Sequence, residues 1–298
     1  MPNPQIRQRH RVMAVMIDKS ERIWRVSQEQ VLTGDVNRIA GIVNVTLDSF
    51  FDGGRHADTA TAVAHGLRLA DEGADILDVG GESTRPGAAP VSAQEEINRV
   101  VPVLCALAEA RPDLPLSVDT YRAACAEAAL AAGAVIINDI SACSFDPGLL
   151  DFVADRKPGY VLMHSLGRPA TMQIDPRYND VVEDILTFFE EKLTMLVRAG
   201  LPEDRVVLDP GIGFGKLLEH NLAILRHLDR FLVLGRPLYV GLSNKAFFGA
   251  LLDLPVGERG QATSIASALC AAKGARIHRV HDVATTRMAL RLAAAFAA

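Results

Sequence analysis

The chain has 298 residues, 49% of them hydrophobic and 22% charged, enough to bury a large core in one domain or two small ones. A formal net charge of -5 gives no field that would gather nucleic acid or an anionic membrane, so an anionic ligand must be met by a local cluster of positive groups. No run reaches the roughly 18 unbroken apolar residues of a spanning helix.

The apolar stretch at 12–17 is too short for a signal sequence and runs into Asp18 and Lys19. Cys105, Cys125, Cys143 and Cys270 lie apart in apolar or Ala-rich surroundings without a C-x-x-C pair, and are expected to be buried reduced thiols. A cytoplasmic protein is the expectation.

In chain order, residues 1–37 hold one aromatic, Trp24, and a turn-like Thr33-Gly34-Asp35, and are expected to form an N-terminal arm or hairpin. Residues 38–298 read as one domain. Its first apolar run spans 39–45. A phrase then recurs in which Gly-Ala closes a helical stretch and opens a short apolar run, at 73–78, 133–138 and 274–279. Glycine suits the left-handed residue after a helix C-terminus, and a continuous apolar run suits a strand buried on both faces.

Similar runs at 114–118, 160–163, 206–208 and 238–240 bring the strands to eight. Between them lie amphipathic stretches such as Ile185, Phe189, Leu193, Leu196 and Val197, closed by Gly200. Met288, Leu290 and Phe296 are expected to belong to a final packed helix. Eight alternations predict an α/β fold, a (β/α)8 TIM barrel with a short N-terminal arm or hairpin, with an open doubly wound sheet as the rival.

In such a barrel chemistry gathers where strands end. The polar residues there are Asn44, Asp78, Asp119, Asn138 with Asp139, His164, Asp209, Ser243 with Lys245, and Arg279 with His281. Any one carboxylate among them reads equally well as a helix N-cap. Together they can satisfy a flat, donor-rich heterocycle and an anion at once. Arg279 and His281 alternate onto one face and favour phosphate oxygens, with Asn44 beside them; an ion pair of Arg279 with a neighbour such as Asp282 is the structural alternative. The run Gly211-Ile212-Gly213-Phe214-Gly215-Lys216 lacks the Ser or Thr of a P-loop, since Leu217 follows. It reads instead as a tight loop that lets Asp209 face the pocket.

As continuous text these phrases resemble the dihydropteroate synthase family from about residue 38 onward. The matching blocks are 41–46 with Asp48-Ser49-Phe50 and Asp52-Gly53-Gly54, then 78–87, 117–120, 137–139, 208–216 and 279–282. The resemblance implies a transferase of folate biosynthesis that condenses a dihydropterin pyrophosphate with p-aminobenzoate to give dihydropteroate and pyrophosphate. It implies that Asp119, Asn138, Asp209 and Lys245 bind the pterin ring with Met163 packed on it. Asn44, Arg279 and His281 would hold the pyrophosphate, with Mg2+ at Asn44. Lys245, Arg279, His281 and Asp48 would be catalytic, and Phe50, Thr84, Arg85 and Ser243 would form the p-aminobenzoate side. A homodimer is also implied.

Four positions depart from the family text. Leu47 replaces a proline, Phe51 replaces a usual small polar residue, and the usual Ser-Arg-Lys-Ser becomes Ser243-Asn244-Lys245-Ala246, removing a fixed positive charge and a hydroxyl expected to contact the p-aminobenzoate carboxylate. The changes at 47, 244 and 246 raise the alternative of a pterin-binding paralogue without synthase activity. A methyltetrahydrofolate methyltransferase-like enzyme is a third reading, against which the Arg279 and His281 pair and Ser83-Thr84-Arg85 argue.

Overall fold

The computed structural model describes residues 22–33, 36–45, 54–84 and 87–297. A two-stranded antiparallel hairpin, β1 (Ile23–Arg25) and β2 (Val31–Thr33), precedes the barrel. Its turn lies at Ser27 to Gln30, where the Val26 N–H donates to the Gln30 carbonyl, and so ahead of the turn-like Thr33-Gly34-Asp35; Gly34 and Asp35 lie outside the described residues.

Eight parallel strands then close into a barrel. They are β3 (Arg38–Asn44), β4 (Ile76–Gly80), β5 (Leu116–Asp119), β6 (Ile136–Asp139), β7 (Gly159–Met163), β8 (Val206–Asp209), β9 (Leu238–Val240) and β10 (Ala275–Val280). β10 pairs with β3 to complete the ring. Around it lie α1 (Gly54–Asp71), α2 (Ala93–Ala110), α3 (Ala123–Ala131), α4 (Gly148–Arg156), α5 (Val181–Ala199), α6 (Leu218–Arg226), α7 (Ala246–Leu252), α8 (Gly260–Ala272) and α9 (Val283–Ala297). The expected Gly-Ala turns are present: Gly73, Gly133 and Gly274 all have positive φ, which a side chain would strain.

The two-residue period of the strands sorts the core into two shells. Outward residues such as Ile39, Val43, Leu77, Val79, Val118 and Ile137 pack under the helices. Inward residues Ala40, Ile76, Ile136, Val161, Val207, Tyr239 and Ile277 fill the barrel floor around Trp24. The hairpin therefore plugs the floor, fastened by the Trp24 indole N–H donating to the Arg205 carbonyl at 2.9 Å. One step further along the same inward rows stand Asp78, Asp119, Asn138, Met163, Asp209 and Arg279.

Two expectations about burial are corrected. Cys125, Cys143 and Cys270 are buried, but Cys105 is exposed, because it falls off the stripe of Val100, Val103, Leu104 and Leu107 that α2 turns inward. In the final helix Leu290 is buried, whereas Met288 and Phe296 face outward. A third difference concerns Asp139, which sits on the outer face of β6. It accepts hydrogen bonds from the Tyr160 hydroxyl (2.6 Å) and the Ser141 and Cys143 amides, outside the barrel lumen.

Candidate functional site

The C-terminal ends of the strands enclose a cavity of about 830 Å3. Asn44, Thr84, Asp119, Asn138, Met163, Asp209, Ser243, Lys245, Arg279 and His281 all line it. Asp48, Phe50 and Arg85, and the substituted Leu47 and Phe51, lie outside the described residues. His164 is not on the wall; it is buried with its ring edge-on to Phe188.

Arg279 is the hub. Its Nε donates to Asp78 Oδ2 at 2.5 Å and its Nη2 to Asp119 Oδ2 at 2.6 Å, so the ion pair runs to carboxylates on two other strands and not to Asp282. Asp282 instead caps α9 by accepting from the Thr285 amide. Burial opposes the Arg279 charge, and the two carboxylates more than offset this, leaving its pKa raised. Asp78, fully buried in mid-strand, also accepts from the Ser117 hydroxyl and the Asn138 amide. It thereby fixes the Asn138 carboxamide with its oxygen available to a ligand. Ser117 is a participant that only its place on the inward row of β5 would have disclosed.

Asp209 ends β8. Its Oδ1 accepts from the Gly211 amide at 2.8 Å, which aims the carboxylate across the lumen. Burial pushes it up to about 6, against the pull of the Gly211 hydrogen bond and the nearby lysines. Burial likewise raises Asp119, outweighing Arg279. Lys245 lies over the Phe214 ring, 4.1 Å from its centre, and burial pushes it down to about 8. Lys216 is buried, donates to the Phe214 carbonyl and meets His164 Nδ1 at 2.9 Å; burial brings it to about 7. The glycine-rich loop had marked this lysine, but no role.

At the β10 and β3 edge, Asn44 Nδ2 lies 3.5 Å from His281 Nε2, and Ser243 Oγ lies 2.8 Å from His281 Nδ1. With Nδ1 accepting from the Ser243 hydroxyl, the imidazole proton stands on Nε2, beside Asn44, where it can be donated to an anion. Ser243, expected on the p-aminobenzoate side, thus orients His281. Opposite, Arg122 pairs with Glu82 (2.7 Å) and Glu96 (2.5 Å) and donates to the Val91 carbonyl, anchoring both ends of the segment that carries Thr84.

One wall of this cavity offers carboxylates and a carboxamide. The other offers a guanidinium, an imidazole and an ammonium. The arrangement can accept hydrogen bonds from an aminopyrimidinone edge and stabilise an anion a few ångströms away.

A family model described as pterin binding enzyme matches residues 40–281. The dihydropteroate synthase of Escherichia coli (strain K12) is 43% identical over 254 residues, which cover 85% of this chain and 89% of the relative. That of Neisseria meningitidis serogroup B is 42% identical over 280 residues, covering 92% and 97%. Among solved structures, Xanthomonas albilineans dihydropteroate synthase with 4-aminobenzoic acid matches at a TM-score of 0.86 and 45% identity, covering 94% of this chain and 99% of that one. The same enzyme in complex with 7,8-dihydropteroate matches at a TM-score of 0.81 and 44% identity, covering 91% and 97%.

Proposed function

The chain belongs to the dihydropteroate synthase family, pterin-binding transferases of folate biosynthesis, and on that premise we propose how its own residues carry the condensation of dihydropterin pyrophosphate with p-aminobenzoate. The observation that carries the assignment is that every described residue to which the family resemblance gives a role lines one cavity at the strand ends.

Asp119, Asn138, Asp209 and Lys245 bind the pterin ring. The Asp209 carboxylate accepts from the 2-amino edge, Lys245 donates to a ring acceptor, and Met163 covers one face. Arg279, His281 and Asn44 hold the pyrophosphate. Nη1 of Arg279, which bonds to nothing among the described residues, is the donor available to a phosphoryl oxygen.

In the reaction the bond between the pterin methylene carbon and pyrophosphate oxygen breaks, with the electron pair leaving on pyrophosphate. The aniline nitrogen forms the new bond and releases its proton. Arg279 and His281 stabilise the charge that builds on the leaving group. Aromatic amines are uncharged at neutral pH, so no strong base is required. Thr84, which lines the cavity, is assigned to the acceptor side, where it would help keep water from the reactive carbon; Asp48, Phe50 and Arg85, given the same side by the family resemblance, lie outside the described residues.

Among the described residues no group of three His, Cys, Asp or Glu is placed to hold a metal ion. Mg2+ commonly takes few protein ligands and several phosphate oxygens, and the Asn44 carboxamide oxygen at the end of β3 suits such a shared site. We assign Mg2+ to Asn44 together with the pyrophosphate, where it would neutralise leaving-group charge. The enzyme is further assigned to the cytoplasm, where buried thiols stay reduced. No described helix is long and apolar enough to cross a membrane.

We also assign the protein as a homodimer through α8 and α9. Ile265 and Leu269 on the first helix and Met288, Leu292 and Phe296 on the second are exposed on adjoining helices, an apolar surface that suits a second copy of the same face.

The pterin assignment is tested by fluorescence titration with a pterin ligand. Asp209→Asn and Lys245→Met should each weaken binding about tenfold to a hundredfold, the worth of a hydrogen bond to a charged group. Unchanged affinity in both would overturn it.

A further inference from the structure

The outer end of the cavity raises a chemical problem. p-Aminobenzoate is a rigid ring whose carboxylate lies opposite its amine, so an amine aimed at the pterin methylene carbon leaves the carboxylate facing the outer end. Asn244, Ala246, Phe247, Val256 and Arg259 line the cavity from α7 and the loops beside it, beyond the end of β9. A carboxylate partly withdrawn from water needs a cation or several donors, and neither Asn244 nor Ala246 offers a charge.

The other cations of the cavity are engaged. Arg279 is held by Asp78 and Asp119, and Arg99 pairs with Glu95. Lys216 is buried against His164 and the Phe214 carbonyl. Lys245 lies over Phe214 in the field of Asp209, on the pterin side.

Arg259 differs from all of these. Its Nε donates to the Leu254 carbonyl at 3.0 Å and its Nη1 to the Asn244 carbonyl at 3.1 Å. Both partners are neutral, and it has no carboxylate partner among the described residues, so its charge is fixed in place without being neutralised. The guanidinium lies close over Gly249 of α7, where a Cβ would press on Nη2. The missing side chain at 249 thus leaves the room that the fork occupies. Two of its edges are fastened to the loops that bracket α7, and the remaining donors stay available at the cavity wall.

Position 244 explains why the charge is displaced. Asn244 has a φ of 57°, the left-handed region in which asparagine is tolerated better than a long side chain. Its backbone oxygen, not its side chain, is what Arg259 grips.

We propose that Arg259 is the residue that recognises the carboxylate of the acceptor, taking the place of the charge and hydroxyl absent at 244 and 246. The proposal rests on the synthase reading above. Arg259 is accordingly specificity-determining: it discriminates an anionic p-substituted aniline from a neutral one, and does nothing for the pterin.

The test compares p-aminobenzoate with p-aminobenzamide, its neutral near-isostere, in steady-state turnover of the full-length protein and of Arg259→Gln, Arg259→Lys and Asn244→Arg/Arg259→Gln. The wild type should prefer p-aminobenzoate. In R259Q the KM for p-aminobenzoate should rise about tenfold or more, with the KM for p-aminobenzamide and the pterin affinity unchanged. R259K should keep most of the preference, charge restored at 244 in the double variant should recover part of it, and the pterin affinity of each variant reads whether it is folded. An equal loss with both acceptors, or a preference retained in R259Q, would overturn the inference and leave the synthase reading standing. No turnover by the wild type with either acceptor would overturn both.

Discussion

Five ionisable groups of the cavity, Asp119, Asp209, Lys216, Lys245 and Arg279, sit where burial resists their charge, and this sets how the site responds to pH. Asp209 titrates near 6 and Lys245 near 8 in the free protein. Below about pH 6 the protonated Asp209 can no longer accept hydrogen bonds on both oxygens, and pterin affinity should fall by roughly tenfold per pH unit. Above about 8 the loss of the Lys245 charge removes a donor, so kcat/KM should trace a bell between the two limits. Asp209→Asn should remove its share of the acid limb and leave that of Asp119, which burial also raises; an unaltered limb in that variant would contradict the assignment.

The same groups leave a mark on stability. Asp209 titrates higher when folded than unfolded, so its contribution falls as pH rises from about 4 to 6; Lys245 titrates lower when folded, so its contribution rises from about 8 to 10.5. The empty site is least favourable to folding at neutral pH, where function needs both charges.

At this scale the inward row was readable from the sequence, because the two-residue period fixes which of neighbouring side chains enters the lumen. That period separates Asn138 from Asp139, and it excludes Asp139 once the register is known. The same period turns His164, one step past inward Met163, outward onto Phe188. Arg259 comes from a loop whose path no periodicity dictates.

At the scale of elements, the loop from β8 to α6 does most to place the site. Gly211, Gly213 and Gly215 all have positive φ. A Cβ on Gly211 would overlap the His164 carbonyl oxygen, and one on Gly215 would crowd Leu166. The Gly211 amide meanwhile orients Asp209. Gly211→Ala should therefore lower stability in urea unfolding by about 2 kcal/mol or more and weaken pterin binding with it. A variant with wild-type stability would show that the loop can yield.

The strands and their order could be recognised because parallel strands buried on both faces read as continuous apolar runs. Their ends drift by a residue or two, as at 114–118 against the observed Leu116–Asp119, since pairing with neighbours sets where a strand begins. The expected hairpin has a turn that no glycine marks: Ser27 closes it through its hydroxyl, accepting from the Glu29 and Gln30 amides.

For the molecule as a whole, the exposed apolar residues of α8 and α9 argue for association. Leu269→Asp should turn a dimer into a monomer in light scattering at micromolar concentration, while the barrel and its pterin affinity persist. A wild type that is already monomeric would contradict the proposed interface. The sequence suggested that Met288 and Phe296 are packed, and no pattern within one chain distinguishes packing against its own barrel from packing against a second copy.

The central claim is that the cavity joins two substrates and is not merely a pterin pocket. Its most direct test is pyrophosphate release by the purified protein with dihydropterin pyrophosphate and Mg2+, measured with and without p-aminobenzoate. The account predicts release that depends on p-aminobenzoate and matches dihydropteroate formed one for one. Tight pterin binding with no p-aminobenzoate-dependent release would contradict it and mark the chain as a pterin-binding paralogue.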